Sequence, residues 1–162
     1  MYVYHGKTAQ QQLLKLFLSG NHELFAQRGH SYWRNEQLLK PLEELVQSKS
    51  MRPELLTAKQ RFISIGSCGG IRTYQELTQR FGNRVDILAT VGTGKAVINT
   101  PYNTRLFEII AENATSRSPL TWQDIATGAD AVFTADAGGE YIQPGSLPAI
   151  LHKMMIEQRP LP

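Results

Sequence analysis

The chain has 162 residues, 41% of them apolar and 19% charged, with a net charge of +3. That length suits one domain with a sizeable core, and the composition excludes a disordered chain. No stretch approaches the roughly 20 apolar residues of a membrane span, and the basic residues are scattered rather than interleaved with aromatics, so neither a membrane nor a nucleic acid is expected as a partner.

The opening residues, Met1-Tyr2-Val3-Tyr4-His5-Gly6, hold no charged segment leading into an apolar run, so no signal peptide is expected. Tyr2 to His5 reads as a short strand. Lys7-Thr8 opens a helix with Thr8 as its N-cap, and Leu13, Leu14, Phe17 and Leu18 fall at helical spacing toward a core. Ser19-Gly20-Asn21 ends it. His22 to Gln27 reads as a strand running into Arg28-Gly29-His30-Ser31. A second helix covers Asn35 to Gln47, with Leu38, Leu42, Leu45 and Val46 as its apolar stripe and Pro41 in its early part. Ser48 to Gln60 reads as a surface connection.

Phe62-Ile63-Ser64-Ile65, ended by Gly66, has the pattern of a buried strand. A helix follows from about Ile71 to Phe81, then a strand over Val85 to Val91 and a loop at Gly92-Thr93-Gly94-Lys95. Thr104 to Asn113, Thr121 to Thr127 and Leu147 to Ile156 read as later helices. Strands alternating with helices predict an α/β fold with a mostly parallel sheet covered on both faces. Ligands of such sheets sit beyond the carboxyl ends of the strands. Three polar loops lie there: residues 28–31, 66–70 and 92–95.

Cys68 is the single cysteine, which excludes an internal disulfide and a multi-cysteine metal site and leaves the compartment open. It stands three residues after an apolar strand and just before a helix, where backbone N–H groups favour a thiolate. The glycines at 66, 69 and 70 suggest close approach of a substrate backbone. The plainer alternative is a cysteine that only packs. A nucleophilic thiol needs an imidazole to take and return its proton. His30, at the end of a predicted strand, is the best placed and His5 is its rival. His22 begins a strand and points to the opposite edge, and His152 lies on a late helix. The sequence has no His-x-x-x-His pair, so no metal is expected.

The run Arg28-Gly29-His30-Ser31-Tyr32, a helix, and then Phe62-Ile63-Ser64-Ile65-Gly66-Ser67-Cys68-Gly69-Gly70 resembles the caspase-fold cysteine peptidases, the clan of gingipains, clostripain and legumain. It is similar in particular to bacterial caspase-like proteins with Gly-His-Ser-Tyr and Gly-Ser-Cys-Gly-Gly segments. The likeness continues through Ile87-Leu88-Ala89-Thr90, Gly94, Asn99, Trp122 and Tyr141-Ile142-Gln143-Pro144. Ser31 stands where the clan usually has glycine, and Ser67 where it often has alanine or glycine. His5-Gly6 matches the clan's His-Gly pair in isolation, but an additional predicted strand separates it from Cys68. The spacing from His30 to Cys68, 68 − 30 = 38 residues, suits one helical crossover.

The resemblance implies a Cys68/His30 dyad that cleaves peptide bonds of a peptide or protein substrate without a cofactor. It also implies an oxyanion site of backbone N–H groups at Cys68 and Gly69, with one near Gly29. Its primary pocket would be shaped by Thr90, Val91, Gly92 and Thr93, continuing to Lys95. Asp86, Asp124, Asp136 and Glu140 are acidic candidates for that pocket, although ordinary solvated carboxylates are the simpler reading. The clan places strands before the histidine strand, for which this chain has little room, so an N-terminally incomplete domain is implied. Two alternatives stand beside the peptidase. One is an inactive caspase-like interaction domain. The other is a nucleoside- or phosphate-binding domain of the phosphorylase kind, suggested by Gly-Ser-Cys-Gly-Gly-Ile after a strand. Gly92-Thr93-Gly94-Lys95 is not a P-loop, because Ala89 and Ala96 occupy positions that require Gly and Ser or Thr.

Overall fold

The structure, a computed structural model, describes residues 6–28, 38–90, 96–116, 118–129 and 141–142. Helices α1 (Lys7–Ser19), α2 (Leu39–Gln47), α3 (Tyr74–Phe81), α4 (Ala96–Asn113) and α5 (Trp122–Ala129) surround a sheet. Its strands are β1 (Leu24–Gln27), β2 (Arg61–Ile65), β3 (Val85–Thr90) and β4 (Tyr141–Ile142), in the spatial order β1-β2-β3-β4. The first three run parallel, with Gln27 beside Ile65 and Ile65 beside Ala89. The short β4 closes one edge antiparallel, Thr90 opposite Tyr141.

Alternation along the strands sends side chains to two layers. Ile63, Ile65, Ile87 and Ala89 join Leu14, Phe17, Leu18, Leu42, Leu77 and Phe81 in the larger core. Phe62 and Leu88 face the other way, onto Tyr102, Leu106, Ile109, Ile125 and Trp122 of α4 and α5. Phe62 meets Trp122 edge-on, with ring centroids 4.8 Å apart. The fold is therefore the expected α/β arrangement, with a mostly parallel sheet between two helical layers.

Several local expectations change. Helix α1 opens behind Gly6, at φ 85°, and not behind a Thr8 cap. Residues 48–60 are more than a surface connection. A 3-10 turn at Pro53–Leu56 lets Leu56, with Met51, enter the core. Helix α4 begins eight residues before Thr104. Pro101 lies early in it, where one missing N–H costs a single bond near an end that already lacks partners. The helix after Cys68 starts as a 3-10 turn over Gly70–Thr73 before becoming α-helical. The expected elements at Tyr2 to His5 and Leu147 to Ile156 lie outside the described residues.

At the amino-terminal end of the sheet sits a buried cation. Arg61, 2% exposed, donates from Nη1 to the carbonyls of Phe17 (2.6 Å) and His22 (3.0 Å). Its Nη2 donates to those of Leu18 (2.8 Å) and Leu55 (3.3 Å). The guanidinium also lies 4.7 Å from the centroid of the Phe17 ring. It thereby caps the carbonyl end of α1 and ties it to β2. Burial holds the Arg61 pKa below its ordinary value, opposed by the charge of Glu23.

Candidate functional site

Because β1, β2 and β3 are parallel and in register, their carboxyl ends meet at one rim. The loop leaving β2 there is a four-residue turn, closed by Gly70 N–H donating to the Ser67 carbonyl at 3.0 Å. Its third residue, Gly69, has φ 66° and ψ 28°, the left-handed region that a turn of the type II kind reserves for glycine. From Ile63 to Gly70 every residue is buried except Cys68. The turn thus presents one side chain, at its corner, on an otherwise closed segment.

Thr90, the last residue of β3, holds the turn from behind. It is 0% exposed. Its hydroxyl donates to the Ser67 carbonyl and accepts from Gly70 N–H at 3.2 Å. Thr73 Oγ1 adds a bond to the Gly70 carbonyl at 2.8 Å. Gly70 has no room for a side chain. A Cβ there would lie 2.7 Å from Ile65 Cγ2, 3.0 Å from the Ile65 carbonyl oxygen and 3.1 Å from Thr90 Oγ1.

Arg28, the residue after β1, binds the rim from the other side. Its Nη1 donates to the carbonyls of Gln27 (2.7 Å) and Ser64 (3.1 Å). Its Nη2 donates to Ser64 Oγ (3.0 Å) and to Asn103 Oδ1 of α4. One guanidinium fork therefore joins β1, β2 and α4. Its path crosses Gly66, where a Cβ would lie 2.5 Å from Arg28 Cδ and Nε. Glycines 66 and 70 are thus required by the chain's own packing, a use that the substrate-approach expectation did not include.

Of the residues expected to form a site, Cys68, Gly69 and Thr90 are brought together here. His30, His5, Gly29, Val91, Gly92 and Thr93 lie outside the described residues, as do Asp136, Glu140 and His152. Thr90 turns its hydroxyl to the Cys68 turn and not to solvent. Asp86 stands near the opposite end of the sheet, opposite Phe62, and accepts from Gln60 Nε2 at 3.0 Å. Asp124 caps α5, accepting from Thr121 N–H (2.9 Å) and Oγ1 (2.6 Å). Neither belongs to the rim. The carbonyl of His22 is bound by Arg61 at the amino-terminal end, on the side expected for that histidine.

Sequence reasoning missed Arg28, Ser64, Thr73 and Asn103. An arginine directly after an apolar strand was a signal for the first. Nothing local marks Asn103, 75 positions away from Arg28. Among the described residues, no three of His, Cys, Asp and Glu are grouped to hold a metal ion, and no helix is long and apolar enough to cross a membrane. No protein-family description, curated protein or solved structure matches the chain.

Proposed function

We propose that this chain is a caspase-like cysteine peptidase domain, with Cys68 as nucleophile and His30 as its proton partner. The observation that supports this most is the Cys68 turn itself. A half-buried cysteine stands on an otherwise buried, hydrogen-bonded loop at the carboxyl end of β2, and the neighbouring parallel strand β1 ends three residues before His30. The thiolate attacks the peptide carbonyl carbon, forming a C–S bond and a tetrahedral oxyanion. Backbone N–H groups at Cys68 and Gly69, with one near Gly29, stabilise the oxyanion. The C–N bond breaks as the imidazolium gives its proton to the leaving amine. Water, deprotonated by the same imidazole, then hydrolyses the thioester and frees the sulfur. Val91, Gly92 and Thr93 shape the primary pocket.

The glycine packing favours this reading over a nucleoside site. The space beside Gly66 is filled by Arg28 and that beside Gly70 by Ile65 and Thr90, so these glycines serve the loop and not a base or ribose. The test is hydrolysis of a fluorogenic peptide panel varied at the residue before the scissile bond. Turnover that disappears in Cys68→Ala and His30→Ala, but survives in His5→Ala, supports the dyad. Loss in His5→Ala with activity kept in His30→Ala moves the base to His5. No turnover by the wild-type chain on any panel member, or turnover indifferent to Cys68→Ala, removes the peptidase reading and leaves the interaction domain.

A further inference from the structure

We infer that Thr90 is a positioning residue for Cys68, holding the turn that presents the thiol, and not part of a substrate pocket. This rests on the peptidase reading for its purpose, although part of its test is independent of any turnover. Thr90 is fully buried, and both capacities of its hydroxyl are spent on the two ends of one turn. The donor goes to the Ser67 carbonyl, one residue before the cysteine. The acceptor takes Gly70 N–H, two residues after it.

The three residues around Cys68 are closed in by different means. Ser67 is 2% exposed, Gly69 is in the left-handed region, and Gly70 has no space for a Cβ. The turn therefore has one arrangement, and β3 supplies the group that selects it. A buried hydroxyl is costly unless both partners are met, so it favours the conformation that meets them. Because β3 is the next strand of the same sheet, the sulfur is held relative to the sheet and not only to its own loop. The proximity of a reacting group is sensitive to such support.

The experiment compares the full-length wild-type chain with Thr90→Val, which keeps the shape without the hydroxyl, and Thr90→Ser, which keeps the hydroxyl without the methyl. For the best peptide of the panel, Thr90→Val is expected to lower kcat by roughly tenfold or more with KM changed less than about twofold, the pattern of a misplaced reacting group. Thr90→Ser restores most of kcat. Alkylation of Cys68 by iodoacetamide, measured well below the urea transition, slows in Thr90→Val and recovers in Thr90→Ser. A kcat unchanged in Thr90→Val, or a loss in KM alone, overturns the inference while leaving the peptidase reading intact. Without any Cys68-dependent turnover, the peptidase reading falls and the alkylation rates alone decide: equal rates in wild type and Thr90→Val overturn the positioning role. Should Thr90→Val not fold, hydrogen exchange on the wild-type chain decides. The Gly70 amide is expected to exchange only through opening of the fold, and rapid exchange of that amide in the native chain overturns the inference.

Discussion

The guanidinium of Arg28 lies across Gly66, so close that a single added carbon at Gly66 would fall 2.5 Å from Arg28 Nε. The glycine is the gap through which β1 reaches Ser64 and Asn103. Gly66→Ala is expected to destabilise by about 1–3 kcal/mol by overpacking. Arg28→Ala should cost about 2–3 kcal/mol through lost charged hydrogen bonds. The two are coupled, because without the arginine the alanine has room. The double variant should therefore be more stable than the sum of the singles predicts, with a coupling of about 1 kcal/mol or more in a urea double-mutant cycle. Strict additivity would mean that Arg28 does not occupy the gap in solution.

Arg61 offers a separate prediction at the opposite end of the sheet. Its four carbonyl partners are contributed by α1, by the segment before β1 and by the Pro53–Leu56 turn. Arg61→Met leaves those acceptors buried and unmet, and is expected to cost about 3 kcal/mol or more. Arg61→Lys keeps the charge but not the planar fork, so it should recover only part of the loss. Urea midpoints with unchanged m-values would measure this, and a neutral Arg61→Met would show that the carbonyls find other partners.

The Cys68 turn can be probed through Gly69. Its φ of 66° lies where a Cβ is strained, so Gly69→Ala is expected to cost about 1–2 kcal/mol. Gly69→Asn should cost less, because asparagine tolerates this region better. An alanine no worse than asparagine would argue against the left-handed residue.

Helix α5 carries a capping box. Thr121 N–H donates to Asp124 Oδ2, and Asp124 N–H donates to Thr121 Oγ1 at 3.2 Å. The Thr121 side-chain bond first, and its backbone bond second, hold the Asp124 carboxyl below its ordinary value. A carboxyl lowered in the fold stabilises it fully above the unfolded pKa of about 4 and loses that contribution as pH falls through the lowered value. The stability difference between wild type and Asp124→Asn should thus be larger at neutral pH and shrink in acid. A difference that stays constant from neutral pH into strong acid would show that the ionised carboxylate is not the capping group.

Local pattern was enough to find most of the framework. The apolar spacing of Leu14, Phe17 and Leu18, and the run Ile63 to Ile65, read correctly as core because helical and strand periodicities are properties of adjacent residues. Local pattern places the start of α4 at Thr104, whereas the helix begins at Ala96 and carries Pro101 within it. Local pattern does not show that Met51 and Leu56 reach the core, because neither belongs to a periodic run.

The site is only half legible in that way. Cys68 stands out in the sequence by being single and by following an apolar strand. The partners that surround it do not, because they come from separate strands and helices. Composition and periodicity by themselves determined the class of the fold, its helices and the strand that leads to the cysteine. The neighbouring of β1, β2 and β3, the Thr90 bond to the turn, the crossing of Arg28 over Gly66 and the burial of Arg61 were decided only by tertiary structure. Each depends on groups distant along the chain meeting in one geometry, and short-range pattern carries no record of such a meeting.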